Sequence, residues 1–485
     1  MNPHLFDLGC LISLGQIGIV EQGLHNACNR AIWGHLPESI RSESKQVDVL
    51  WEDPFDPRTR KTDVVASRGN EVWAISRGAF ESILPDVKSN PALSEWAKNQ
   101  GLLGRRVLAF SGKKIAKKSH YSSADFNASP IIGLLSFSDP LKASASEAIH
   151  AAKRLNVDVR LITGDSPEVA FSVGKQLGMA EFQHELITGP DLALLEGSEK
   201  QAAILKTKVF ARIYPAQKQE IVTALSALGP VGFIGDGVND APALKAATVG
   251  IAADHATDVA REAASIILLK KDLHVIIGGI RKGREIFANI EKYLTFTLIG
   301  NFGTFYSIAI ISLVTTFLPM LPVQILLSNL LSDLPMVTIA TDGVDNDRVK
   351  KPVKSQLNRL LLFSLILGVI SSIFDFIFFF VYKGNSEALI QTLWFIFSVI
   401  TELILIFSIR TRKWIWRATP PSLLLVAASI FAAFGTIAIP ISPLHILFRF
   451  VHPPLWAWTT LVVLTLVYFA STEIAKRIFI RFAPQ

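Results

Sequence analysis

Asp236 and Asp240 stand four residues apart in GDGVNDAPAL, Gly235 to Leu244. This spacing puts two carboxylates on one strand-to-helix turn, because VGFI just before it (Val231 to Ile234) reads as a short strand buried in a parallel sheet. Hard Mg2+ takes one or two carboxylates and completes its octahedron with waters and phosphate oxygens, so the two acids can share one Mg2+ beside a phosphate. Gly235 and Gly237 carry no Cβ to hinder a phosphoryl group approaching the backbone. Asn239 adds a side chain able to donate or accept a hydrogen bond in the same layer. A strand, a glycine turn and an acid-capped helix start would explain a lone GDG, but not all ten residues.

A second cluster lies upstream in LITGDSPEVA, Leu161 to Ala170. VDVRLIT reads as a strand ending at Thr163, Gly164 and Asp165. The helix that follows has Ser166 as its cap, Pro167 in its first turn and Gly178 at its end. IIGLLSF reads as another strand and SASEAIHAAKRL as an amphipathic helix, so about 123–285 alternates strand and helix. That is a doubly wound α/β pattern, with ligands expected at the carboxyl ends of its strands. TGD alone is explained equally well as a helix start; beside GDGVND, the Thr163 hydroxyl becomes a candidate phosphate contact. YPAQKQEIV then carries Lys218 on a helix, either as a phosphate-neutralising cation or as a solvated lysine.

These motifs resemble those of the P-type cation-transporting ATPases, whose hinge signature reads like GDGVNDAPAL. TDVAREAASIILLKKDL resembles the segment that follows that hinge, LITGDSPEVA resembles the family's second phosphate-site motif, and DPLK at Asp139 to Lys142 is similar to its DPPR. The resemblance covers essentially the whole chain. It implies a nucleotide-binding α+β domain at 1–122, a haloacid-dehalogenase-like phosphorylation domain at 123–285 and an all-α transmembrane domain at 286–485. ATP and Mg2+ are the cofactors it implies. It assigns Asp236 to the metal with Asp240 and Asn239 around it, and Thr163, Gly164, Asp165 and Lys218 to the phosphoryl group. Phe55, in PFDPRTRK, would lie against adenine, with Arg77 of RGA and Arg106 of GRRVLAF near the phosphates. Arg77 replaces a lysine of the family pattern, which changes the donor geometry. EVWAISRG, after an Arg68-Gly69-Asn70 turn, alternates like a half-buried strand.

At 485 residues, half of them hydrophobic, the chain is too long for one core and too apolar for a wholly soluble protein; its mean hydropathy is +0.38. The apolar excess lies after about residue 293. Six stretches are long enough to cross a bilayer, near 293–317, 321–340, 360–382, 391–409, 420–440 and 455–475. Basic residues follow the second span (Arg348, Lys350, Lys351, Lys354, Arg359), the fourth (Arg410, Arg412, Lys413, Arg417) and the sixth (Lys476, Arg477, Arg481). This bias predicts an integral protein of the plasma or inner membrane with both termini cytoplasmic. It also accounts for the net charge of +7 without nucleic acid as a partner. Cys10 and Cys28 make no disulfide framework and read as reduced thiols. Residues 5–20, interrupted by Asp7, do not read as a signal peptide.

Polar groups inside spans need partners or ions. Asn301 and Asp333 are the candidate ligands of a transported divalent cation, whereas Asn329 and Glu402 read as helix-to-helix hydrogen bonders and Asp375 is unassigned. NFGTFYSIAI and LPMLPVQILLSNLLSD resemble the fifth and sixth spans of the magnesium-transporting subgroup, and SSIFDF, QTLWF, RTRK and PISPL recur in that subgroup's order. Oxygen-only ligands suit Mg2+ as cargo.

The DKTGT motif, whose aspartate such pumps phosphorylate, occurs nowhere in these residues, and neither does TGES. Without that nucleophile this chain alone is expected not to form a covalent intermediate. In the family fold the missing strand runs between the one ending at Thr163 and the one ending at Asp236, so two unpaired edges are expected to flank a void. The resulting expectation is the C-terminal part of an ATP-driven, magnesium-type pump, its membrane unit surrounded by lipid. This part is either a gene fragment or one half of a split pump; if split, a second chain would supply DKTGT, TGES and the first four spans. The alternative is a catalytically inactive nucleotide-binding membrane subunit or a gene relic.

Overall fold

The computed structural model describes residues 3–15, 27–56, 59–84, 90–270, 272–352 and 356–482. Residues 16–20 of the N-terminal stretch, Pro57 and Arg58 of PFDPRTRK, and Lys354 lie outside the described residues. The chain forms two compact units, Met1–Lys153 with Asp158–Val275 and Arg154–Val157 with Ile276–Gln485.

The first unit opens with a five-stranded antiparallel sheet, β1 (Val47–Asp56), β2 (Lys61–Arg68), β3 (Glu71–Ala79), β4 (Arg105–Ile115) and β5 (Ile131–Ser138), in that spatial order. EVWAISRG was expected to be half-buried. As the central strand β3 it is instead buried on both faces: Ile75 packs with Leu8, Ile12, Ile32 and Phe110 on one side, and Val72 and Ala74 pack with Val65, Tyr121 and Phe126 on the other. IIGLLSF needs a larger correction, because it pairs antiparallel with β4 and completes this sheet rather than starting the parallel one. An apolar run is equally at home in either sheet; here Phe6 and Phe110 supply the cover that fixes the choice.

The remainder of the unit holds two separate three-stranded parallel sheets. One is ordered β6-β8-β7, with β6 at Leu161–Ile162, β7 at Leu186–Thr188 and β8 at Val209–Ala211; the other is ordered β11-β10-β9, with β9 at Gly232–Gly235, β10 at Val249–Ala252 and β11 at Ile266–Ile267. β6 and β9 are therefore each an edge strand of their own sheet. The expectation that VGFI is buried fails: Ile234 is 44% exposed, and its strand stands at the edge of its sheet.

The second unit contains six helices long and apolar enough to cross a membrane, Leu273–Val314, Pro322–Thr341, Leu357–Tyr382, Glu387–Ile409, Leu423–Ile441 and Leu455–Phe482. The fourth is the most buried and forms the axis of the unit. Trp394 and Phe397 of this helix pack with Phe378 and Phe379 of the third.

Candidate active site

Asp240 organises the GDG turn. It is only 7% exposed, and its Oδ2 accepts hydrogen bonds from the backbone amides of Asp236 and Gly237, both at 3.2 Å. Its Oδ1 accepts from Lys218 Nζ at 2.7 Å. Position 235 must be glycine for this carboxylate to tuck in, since a Cβ there would come within 2.6 Å of the Asp240 Cβ. Asp240, expected to share the metal, thus has both oxygens engaged in holding the turn. Lys218, expected at a phosphate, serves that same carboxylate.

The Lys218–Asp240 bond also joins the two parallel sheets. Lys218 sits in the first turn of the helix Pro215–Ser226, which follows β8, whereas Asp240 follows β9. One ion pair therefore links the segments that follow β8 and β9.

Asp236 is presented differently. Its side chain is 55% exposed and lies 3.2 Å from His255 Nε2, while its backbone carbonyl accepts from the Thr257 amide at 2.9 Å. The backbone is pinned and the carboxylate is free to take a ligand from outside. Asn239 is exposed on the turn Val238–Asp240. His255 is a site residue that sequence reasoning missed; its one signal is a histidine between acids in AADHATD, which neither periodicity nor spacing marks.

The TGD cluster is equally well braced. Thr163 Oγ1 donates to Asp165 Oδ2 at 2.9 Å, and the Asp165 amide donates back to Thr163 Oγ1 at 3.1 Å. Backbone amides of Arg212 and Ile213 bond the carbonyls of Asp165 and Thr163, each at 3.0 Å. Gly164 lies exposed between them. Arg106, on β4, reaches Asp165 with two nitrogens, at 2.8 and 2.9 Å. Burial opposes the Arg106 charge, but Asp165 outweighs it and holds the guanidinium above its ordinary pKa. Among the described residues no hydrogen bond or ion pair joins this cluster to Asp236.

A cleft of about 440 Å3 draws wall residues from both clusters. Arg106, Asp165 and Val169 line it on one side and Ile234 of β9 and His255 on the other, with Asp139 of DPLK also in its wall. Of the remaining nucleotide candidates, Phe55 is 60% exposed near the end of β1, an open aromatic face. Arg77 is half-buried and donates to Asn29 Oδ1 at 3.0 Å; its neighbour Gly78 has no room for a Cβ against the Arg60 carbonyl. Arg77 is thus tied into the N-terminal packing. Sequence reasoning could not see this, because Asn29 is 48 positions away.

The donor set fits Mg2+ through a single carboxylate. No group of three or more His, Cys, Asp or Glu able to hold a metal occurs among the described residues, and Mg2+ does not need one when phosphate and water complete its shell. Asp236 is the residue that would hold it, and Asp240 fixes the turn that presents it.

Comparison with known proteins gives this geometry its context. Residues 64–248 match the haloacid dehalogenase-like hydrolase family and residues 317–478 match the cation transporting ATPase C-terminus family. "Magnesium-transporting ATPase, P-type 1" of Escherichia coli K12 is 34% identical over 489 residues, covering 95% of this chain and 54% of that protein. Its namesake in Salmonella typhimurium 14028s is 33% identical over 492 residues, with the same coverage. "Calcium-transporting ATPase 1" of Bacillus cereus is 30% identical over 74% of this chain and 45% of its own length. The chain belongs to the P-type cation-transporting ATPases. It corresponds to the C-terminal part of such a protein and spans about half the length of the curated relatives it matches.

With the six apolar helices, membership in this ATPase family makes the chain an integral membrane protein. Within the membrane unit, Asn301, Asn329 and Asp333 all lie on the exposed surface of their helices. Asp375 is buried and accepts from Ser307 Oγ at 2.6 Å and Trp394 Nε1 at 2.9 Å, which ties the first, third and fourth spans together. Glu402 lies beside Thr304, whose Oγ1 is 3.5 Å from its Oε1. The two candidate cargo ligands thus face outward, and the carboxylates with helix-to-helix partners face inward.

Proposed function

We propose that this chain is the nucleotide-binding and ion-conducting part of a P-type pump that moves a divalent cation, with Mg2+ as cargo, at the expense of ATP. The observation that carries the reading is the break between β6 and β9. Two half-sheets end in phosphate-type loops, each braced by its own carboxylate, and one cleft opens between them. A strand bearing the acid nucleophile would fill that break and bring its carboxylate between Thr163 and Asp236.

In this proposal Phe55 stacks on adenine and Arg106, held by Asp165, faces the phosphates. Thr163 and Gly164 offer a hydroxyl and an unhindered backbone to the phosphoryl group. Lys218 pairs with Asp240 and helps to hold the GDG turn closed, and Asp236 holds Mg2+. The bound Mg2+ supplies charge neutralisation between phosphate oxygens. The magnesium relatives named above support Mg2+ as cargo, and the basic loops after the second, fourth and sixth spans support cytoplasmic termini.

The test is acid-quenched labelling with γ-labelled ATP. The purified chain alone takes up no acid-stable label, and on addition of a polypeptide carrying DKTGT, TGES and four further spans the label appears on that polypeptide. Label on this chain by itself would refute the proposal.

A further inference from the structure

A pocket of about 100 Å3 lies at the basic end of the membrane unit, between the first, third, fourth and sixth spans. Its charges do not balance. Glu291 pairs with Arg348, Lys292 pairs with Asp342 at 2.7 Å, and Lys476 pairs with Glu473 at 2.6 Å. Arg359 and Arg412 remain. Neither has a carboxylate within ion-pair distance among the described residues, and Arg412 makes no side-chain hydrogen bond there either.

Unsatisfied donors mark the same place. Arg359 Nη1 and Arg348 Nε are buried with no hydrogen-bond partner, a costly state for charged nitrogens. Burial, and then the neighbouring charges of Arg348 and Arg359, pull the Arg412 guanidinium down to about 10. Three like charges crowd a cavity whose orphaned nitrogens want an acceptor.

The walls identify the kind of acceptor. Beside the arginines the lining is apolar, with Leu360, Phe363, Phe479 and Ile480, and the rings of Phe363 and Phe479 pack at 4.9 Å where the third and sixth spans meet. The Arg359 guanidinium carbon lies 5.7 Å from the centre of the Phe479 ring, a cation–π contact where the cationic and apolar linings meet. Trp414 and Trp416 stack nearby at 4.8 Å with Arg477 against Trp414, an aromatic pair of the kind that settles at the membrane–water interface. The pocket therefore combines a cationic lining with a hydrocarbon-like one.

We propose that this pocket binds the phosphodiester headgroup of an anionic phospholipid through Arg359 and Arg412, with the acyl chains running along the third and sixth spans. Two guanidinium forks suit a tetrahedral anion, and basic pockets between spans on the cytoplasmic side suit such headgroups. This site is separate from the nucleotide and cargo sites and stands whether or not the chain takes part in transport.

The experiment places the full chain in phosphatidylcholine nanodiscs doped with phosphatidylglycerol and counts retained phosphatidylglycerol per chain by native mass spectrometry. The wild-type chain retains it in preference to phosphatidylcholine. R359Q/R412Q loses about 30-fold in affinity, roughly fivefold for each arginine near the surface. R359K/R412K, which keeps the charge and loses the fork, falls in between, and Arg417→Gln, a basic change outside the pocket, leaves retention unaltered. If the double glutamine variant does not fold, Arg412→Gln alone carries the test, because that side chain holds no protein group. Equal retention by wild type and the glutamine variant overturns the proposal, as does equal retention of phosphatidylcholine. Displacement of the lipid by inorganic phosphate at matched concentration overturns the lipid assignment in favour of a free-anion site.

Discussion

Two carboxylates four positions apart have opposite duties in this site, and mutation should separate them. Asp240 is buried and accepts three hydrogen bonds, one from a lysine that its loss would strand. Asp240→Ala should cost about 2–3 kcal/mol of stability, read as a lower unfolding midpoint of the first unit in denaturant. Asp236→Ala removes an exposed carboxylate whose contact, with His255, is itself exposed, so the midpoint should stay within about 0.5 kcal/mol. Transport in the complemented pump should nonetheless be abolished by Asp236→Ala. A stable Asp240→Ala, or a transporting Asp236→Ala, would reverse the two assignments. Spacing alone could show that both acids share one turn. It could not show which points inward, because that depends on Lys218 reaching across from the helix after β8.

Among the elements, β9 is the informative one. A parallel strand that would be central in a complete sheet stands here with an open side, and an exposed apolar edge recruits other chains. Ile234→Lys should therefore reduce aggregation of the purified chain, measured by light scattering on warming, and should block complementation by a DKTGT-bearing polypeptide. If the variant complements normally, the incoming strand does not pair at β9. This element also shows how far patterns of residues carry. The GDG turn, the TGD helix cap and the six spans were legible because their signals are local: glycine, a capping serine, an apolar run of the right length. β5 was not, since IIGLLSF carries no mark of whether its neighbour will run parallel or antiparallel. Arg77 was not either, since its partner Asn29 belongs to a helix that only the tertiary fold brings near. The basic pocket was half legible: Arg359 and Arg412 were counted as orientation charges, and only the pairing of their neighbours reveals them as surplus.

For the molecule as a whole, the membrane unit sets two kinds of intramembrane carboxylate against each other. Asp375 has its acceptor capacity used by Ser307 and Trp394, so Asp375→Ala should strand two buried donors and cost the unit about 1–2 kcal/mol, with cargo selectivity unchanged in whatever pump remains folded. Asp333 lies on the exposed side of its helix, where a bare carboxylate in hydrocarbon is unfavourable by about 2.5 kcal/mol or more. In the proposed pump, further helices or a cation would cover it. Asp333→Asn should then leave the melting of this chain in detergent unchanged or slightly raised, because it relieves an uncovered charge. The same change should abolish magnesium uptake in the complemented pump and leave nucleotide binding intact. The paired measurements decide the matter: a stability loss at Asp333 with transport retained would make it a structural residue and move the cargo site inward, toward Glu402 and Thr304.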